Sequence, residues 1–369
     1  MGITWGQWKR RFAAAAVGTS AIVGAAVAMP AHAATNGSSG SGPVAQAPVI
    51  MWQKNHTSPT AAPTSPSQAE NNLIFHGGAV EHHPKAYIVF WGTEWKDGFT
   101  QKADQFSTLA APSTLSYTNL DAERYITDFM AGVGGSAWNG TQTQYCDNIS
   151  PGSVSCAGEA LAQPITNPRN LLKGVWVDPT PVPSQIVTSG LAENITNDPI
   201  ASEAVKASNH FGFDPDATYF VMTPPGHAAT AYGSVYCAYH SEVTNVGGHG
   251  LRYAFIPYVM EQGAGCAQYG VNAKPDKYGH GFFDPYSIVT GHEFAEAETD
   301  PDSYPFQDGW NDAQTSENGD KCAYFEMANI TLGKKYFAVQ PLWSNEANNG
   351  DGGCTMKRGT GPADVKPPV

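Results

Sequence analysis

Apolar residues along this chain fall in short runs separated by glycine- and proline-rich stretches, and the spacing inside each run predicts an element. "AYIVFW" (86–91) is continuously apolar and rich in aromatic and β-branched residues, the pattern of a buried strand. "GVWV" (174–177) and "ATYFVM" (217–222) read the same way, as does "RYAFIPYV" (252–259), where Pro257 marks an edge or a bend. In "DAERYITDFMAGV" (121–133), Tyr125, Ile126, Phe129, Met130 and Val133 recur at helical spacing, and Gly134-Gly135 supplies a stop. A second helix is expected between Glu203 and Phe211. Strands alternating with helices predict an α/β (α+β) fold, a mixed sheet with helices and long loops, in one domain over 71–357. No internal repeat is visible.

The two ends read differently. Lys9-Arg10-Arg11 precede an apolar run from Phe12 to Met29, closed by Ala31-His32-Ala33. That order is a signal peptide over 1–33, which predicts a secreted, extracellular protein. No other stretch is apolar enough for a stable membrane span. Residues 34–70 are rich in Ser, Gly, Pro, Thr and Ala, and predict a disordered segment with too few large apolar residues to offset chain ordering. Its one apolar patch, Val49-Ile50-Met51-Trp52, is thin support for structure, and its composition leaves open whether it is a propeptide. Residues 358–369 read as a flexible tail.

Charge and cysteine content narrow the setting. Export removes three of the 20 basic residues and none of the 33 acidic ones, leaving a net charge of −16. Such a chain is poorly suited to nucleic acid. The six cysteines, Cys146, Cys156, Cys237, Cys266, Cys322 and Cys354, all lie in the exported part, where an even count favours disulfides. Order along the chain suggests 146–156, 237–266 and 322–354, among fifteen possible connectivities.

The candidate chemistry sits in "TGHEFAEAETDPD" (290–302). Asp284-Pro285 reads as a helix start and Asp300-Pro301 as a stop. On the helix between them His292, Glu296 and Asp300 lie four apart and share a face, whereas Glu298 reads as solvated. An imidazole and a carboxylate one turn apart can hold one ion, and a glutamate directly after the histidine can reach water beside it. The zinc-protease signature is H-E-x-x-H; here it is H-E-x-x-E, with His292 and Glu296 as ligands and Glu293 as general base. Downstream, "DGWNDAQTSENGDKC" offers the third ligand: Glu317, 25 positions after His292, with Asp320 and His240 as rivals. Two carboxylates with one histidine suit zinc but also admit harder cations such as calcium. His240 reads as structural or substrate-facing, and adjacent His82-His83 would point apart on a strand. His249 and His280 lie in Gly-rich loops. No G-x-S-x-G elbow and no phosphate-binding loop are present.

Several segments, in order, resemble the phosphate-induced protein 1 (EXORDIUM-like) family of plants and its secreted bacterial relatives. They are "HGGAVEHHPKAYIVFWGTEW", "YITDFMAGVGGSAW", "DATYFVMT", "YCAYHSE", "QGAGCAQ", "TGHEFAEAETDP" and "ENGDKC", spanning most of 75–354. The resemblance implies an extracellular, disulfide-bonded, zincin-like domain. It carries metal roles onto His292, Glu296 and one of Asp300, Glu317 or Asp320, and the base role onto Glu293. The expectation is therefore a monomeric, secreted, metal-dependent hydrolase, a peptidase first, acting on an extracellular protein, peptide or cell-wall substrate. The alternative is a non-catalytic extracellular binding protein whose site is degenerate or holds calcium.

Overall fold

Eight strands build the main sheet: β1 (Val44–Ala45), β2 (Val49–Trp52), β3 (Lys85–Trp91), β4 (Leu172–Asp178), β5 (Glu193–Asn194), β6 (Ala217–Met222), β7 (Tyr236–Val246) and β8 (His249–Ile256). Their order across the sheet is β5-β1-β7-β8-β6-β3-β4, with β2 also paired to β7. The half formed by β4, β3, β6 and β8 is parallel, and β7, β1, β2 and β5 add antiparallel pairs. This is the mixed α/β architecture expected from the alternation of elements. The computed structural model describes residues 42–54, 71–107, 112–188, 193–246, 249–302, 308–359 and 365–366. The expected signal peptide, 1–33, lies outside the described residues.

Alternation along the parallel strands divides two cores. Ile88, Phe90, Phe220, Met222, Ala254 and Ile256 face helices α2 (Asn119–Val133) and α4 (Asp284–Thr299), while Val89, Val221, Tyr219 and Phe255 face α3 (Pro199–Phe211). A one-turn helix, α1 (Thr93–Asp97), follows β3. Helix α2 starts two residues before its expected position, because Thr118 and Asp121 form a reciprocal capping box. Helix α3 starts at Pro199, capped by Asp198, whose carboxylate accepts from the amides of Ile200 and Ala201. The strand expected over 252–259 starts at His249 and ends at Ile256, so Pro257 terminates it. A hairpin of β9 (Ala328–Leu332) and β10 (Lys335–Val339) packs on α4 from the side away from the sheet.

Two expectations at the ends are corrected. Residues 34–70 are not disordered throughout: Val44–Ala45 and Val49–Trp52 pair antiparallel with β7, and Met51 is fully buried. Backbone hydrogen bonding to an open sheet edge orders a segment whose composition alone does not. In the tail over 358–369, Val365–Lys366 pairs with β9. Disulfides join Cys146 to Cys156, Cys237 to Cys266 and Cys322 to Cys354, the chain-order pairing. No helix among the described residues is long and apolar enough to cross a membrane.

Candidate metal centre

Helix α4 is buried along its whole length, so its polar residues are inside the protein. The helix begins at Asp284 instead of being capped by it; the Asp284 carboxylate accepts from the amides of Asn272 and Gly281 and from the Asn272 side chain, pinning the preceding loop. Gly291 lets the helix approach α2 closely, since a Cβ there would stand 3.2 Å from Phe129 and from Trp138. Glu298, expected to be solvated, has no exposure; its Oε1 accepts from Asn139 at 3.0 Å, and burial pushes its carboxyl well up. A helix covered on all sides has no solvent face to give it.

Toward β7 the helix presents His292, Glu293 and Glu296. His292 Nε2 lies 3.1 Å from Glu296 Oε1 and 3.7 Å from Asp320 Oδ1. The backbone amide of Asp320 donates to the same Glu296 oxygen at 2.9 Å. On the other side of Glu296, His240 of β7 places Nδ1 3.2 Å from Glu293 Oε2 and 3.6 Å from Glu296 Oε2. Two sets thus have ligand atoms close enough to hold an ion: His292, Glu296 and Asp320, and His240, Glu293 and Glu296.

Asp320 reaches the helix because its loop is anchored by residues distant in sequence. Gln340 donates to the Gly319 carbonyl at 2.7 Å, and Asn318 donates to Gln142 and to the Ala295 carbonyl. The amide of Trp343 donates to the Asn318 carbonyl, and Cys322–Cys354 ties the following turn. Gly319 packs directly on the site: a Cβ there would stand 2.8 Å from Glu296 Oε1 and 2.9 Å from His292 Nδ1. Glycine is required here by space, not by backbone conformation.

The other candidates take different positions. Glu317 lies against His240, its Oε2 3.6 Å from Nε2, and belongs to neither ligand set. Asp300, at the end of α4, accepts from the Gly309 amide at 2.6 Å and from Asn311 at 3.2 Å, which makes it a tie for the following loop. Burial and the Asp308 charge push its carboxyl up to about 7. His240 is buried, facing α4 and not solvent. Tyr324, unnoticed in the sequence, is half-buried beside the cluster; desolvation of its hydroxyl first, then the Glu293 and Asp320 charges, push its phenol up. His280 is held between Asp276 and the Tyr336 carbonyl, His82 pairs with Asp147, and His83 bonds Thr166. The side chain of His249 lies outside the described residues.

The electrostatics follow from crowding acids in a dry place. Burial pushes Glu293, Glu317 and Asp320 up. Burial opposes the charged forms of His292 and His240, but the adjacent carboxylates outweigh it, lifting His292 to about 10. Burial also opposes the Glu296 charge, and the two imidazoles overcome it, so Glu296 is held down. No lysine or arginine among the described residues pairs with any of these groups. Several buried polar atoms here lack a hydrogen-bond partner: His240 Nε2, both ring nitrogens of His292, Glu293 Oε1, Glu296 Oε2 and Glu317 Oε2. Buried polar atoms are normally satisfied, and such a concentration of oxygen and imidazole donors fits a divalent cation. Which cation is not specified by the donors alone.

Compared with protein-family models, with curated proteins and with solved structures, the chain matches none.

Proposed function

We propose that this chain is a secreted, metal-dependent hydrolase of peptide bonds, with a cation held by His292, Glu296 and Asp320 and with Glu293 as its base. The observation that carries the proposal is the convergence of His292 and Glu296, from a helix, with Asp320, from a distant loop, around unsatisfied imidazole and carboxylate atoms, with Glu293 in the adjoining set that shares Glu296. Zinc is the cation of choice for an imidazole with carboxylates, and calcium is the rival that the hard oxygen donors admit. Bound there, a divalent cation supplies Lewis acidity toward a carbonyl oxygen and toward water.

The remaining chemistry belongs to the chain. Glu293 follows His292 directly, so its carboxylate leaves the helix beside the ligands. One oxygen is held by His240 and the other, Oε1, is unpartnered. Burial raises its basicity, which suits a general base. Glu293 takes a proton from water as the oxygen–carbon bond forms, then delivers it to the departing amine as the carbon–nitrogen bond breaks. His240 orients Glu293 and is a positioning residue in this scheme. The zincin-like relationship rests on the same ground: an H-E-x-x-E helix packed beneath a mixed sheet, next to a strand antiparallel to its neighbour. Three disulfides and the signal-like N-terminus support export.

One observation favours the second reading, a binding protein with a structural cation. The cluster is buried except for the half-buried Asp320, and a cation there would staple the Gly319–Asp320 turn to α4. The readings part on one experiment: metal content of the purified mature protein by elemental mass spectrometry, with peptide hydrolysis assayed on wild type, Glu296→Ala and Glu293→Gln. The hydrolase requires metal lost in Glu296→Ala, and metal kept but hydrolysis lost in Glu293→Gln. A cation retained with no hydrolysis in wild type leaves the structural reading.

A further inference from the structure

The edge of β7, the strand that carries His240, is covered by the chain's own segment from Gly42 to Lys54. Strand β2 runs antiparallel to β7, with Val49 opposite His240, Ile50 opposite Tyr239, Met51 opposite Ala238 and Trp52 opposite Tyr236. Directly opposed residues share a face, so Val49 lies on the same side of the sheet as His240, the side of α4. Met51 points to that side too and is fully buried among residues of the α4 core. Further along, the Gln53 amide donates to the Val235 carbonyl and the Lys54 amide to Gly265. Before β2, the Gln46 amide donates to Glu242, and Ser241 donates to the Gln46 carbonyl. Main-chain pairing with side chains seated alternately is how a sheet edge accepts an extended peptide.

A second, independent feature marks this edge. The Tyr324 hydroxyl donates to the Trp52 carbonyl at 2.9 Å, and lies 3.2 Å from the Cys237 sulfur. Tyr324 stands on a backbone with φ of 57°, a conformation that is unfavourable for a bulky side chain and is kept where the surroundings enforce it. A phenol next to the base and the cation ligands thus hydrogen-bonds to the oxygen of a peptide group. That contact is the one a donor to a substrate carbonyl would make.

We infer that Gly42–Lys54 occupies the peptide-binding edge of this site, so that the present form is self-blocked, and that the edge once vacated takes an extended peptide with an apolar residue in the seat of Met51. The inference rests on the hydrolase reading for its chemistry, but the occupancy of the edge is measured separately. The segment is held by a four-residue ladder of β2 with a register shift between Tyr236 and Ala238 and by the two residues of β1 paired to β7 and β5, whereas β3 and β6 carry ladders of five or six residues on both sides. Its place is therefore exchangeable while the parallel half of the sheet persists.

The test introduces a recognition site for a specific protease between positions 55 and 70 of the full chain. The cut protein is then titrated with a fluorescent peptide of sequence QAPVIMWQK, residues 46–54. The expected result is saturable binding after the cut and none before it, because the tethered segment competes at the high local concentration of a linked chain. The same peptide with glutamate in the Met51 position should bind at least about tenfold more weakly, since it buries a charge. In the uncut protein, Met51→Ala should speed hydrogen exchange of the Val49–Trp52 amides while those of Ile88–Phe90 keep their protection. The inference is overturned if the labelled peptide fails to enter the cut protein, if removing the segment abolishes the cooperative unfolding transition, or if Met51→Ala exchanges both sets of amides together. Binding without hydrolysis sustains this inference and removes the hydrolase reading. Hydrolysis by the uncut protein at the rate of the cut one does the reverse.

Discussion

Glu296 joins the two halves of the cluster, one carboxylate oxygen facing His292 and Asp320 and the other facing His240. Its four-residue spacing from His292 could be read from the sequence, because a helix places such residues one above the other. The choice among Glu317, Asp320 and Asp300 could not, because all three sit on loops or helix ends whose direction depends on partners far along the chain. Glu293→Gln is expected to retain metal and lose hydrolysis by about 10²–10⁴-fold, the usual contribution of a positioned base; equal turnover in the variant would remove Glu293 from the chemistry. Gly319 was legible only as part of "ENGDKC", with nothing to say that its missing Cβ mattered. Gly319→Ala is expected to weaken cation binding by roughly tenfold or more, since the added carbon must push on two ligand side chains. Competition against a chromophoric chelator measures this, and unchanged affinity would move the ion away from His292 and Glu296.

At the scale of elements, periodicity identified β3, β4, β6, β8, α2 and α3 within a few residues of their ends. Strand β7 was missed, although "YCAYHSE" was noticed as a motif, because its polar residues His240, Ser241 and Glu242 mask its pattern. Those residues are buried by what packs on both faces, which a local window does not contain. Helix α4 was legible as a helix but not as a buried one. The Cys322–Cys354 link matters to this element pair because it closes a 32-residue separation around the loop that carries the β9–β10 hairpin. Replacing both cysteines by alanine is expected to lower stability by about 2–4 kcal/mol and to loosen the Asp320 turn with it. Denaturant unfolding, with and without saturating metal, checks this. A variant that loses stability but keeps full metal affinity would show that Gln340, Asn318 and Gln142 suffice to hold the turn.

For the whole molecule, two measurements report on charge buried during folding. A cation that binds only the folded chain raises its stability by RT ln(1 + [M]/Kd), about 2.7 kcal/mol at a hundredfold excess over Kd. Thermal unfolding with zinc, with calcium and with chelator should therefore separate the two ions; no shift with either would leave the cluster without a cation. Glu81, fully buried with Thr218 donating to it at 2.9 Å, is raised to about 8, chiefly by burial and against the pull of Arg252. Its proton is held more tightly folded than unfolded, so its contribution is full below about pH 4.5 and is lost as pH rises through about 8. Glu81→Gln should flatten the fall in stability between those values, by up to about 1.4 kcal/mol per pH unit. Identical slopes for variant and wild type in urea unfolding would refute this.

The residues alone were enough for what is written locally: strands from runs of apolar side chains, helices from a 3.6-residue period, and a histidine and glutamate one turn apart. The pairing of cysteines in chain order was among the possibilities they left open. Folding decided what depends on contacts across the chain. Asp320 meets Glu296 because Gln340, Gln142 and Trp343 aim its turn. His240 meets Glu293 because β7 lies over α4. Val44–Ala45 and Val49–Trp52 became strand because an edge of β7 offered unpaired backbone groups to them. A bond between neighbours in sequence is fixed by covalent geometry, whereas one between distant residues exists only when the intervening chain has paid the entropy of bringing them together.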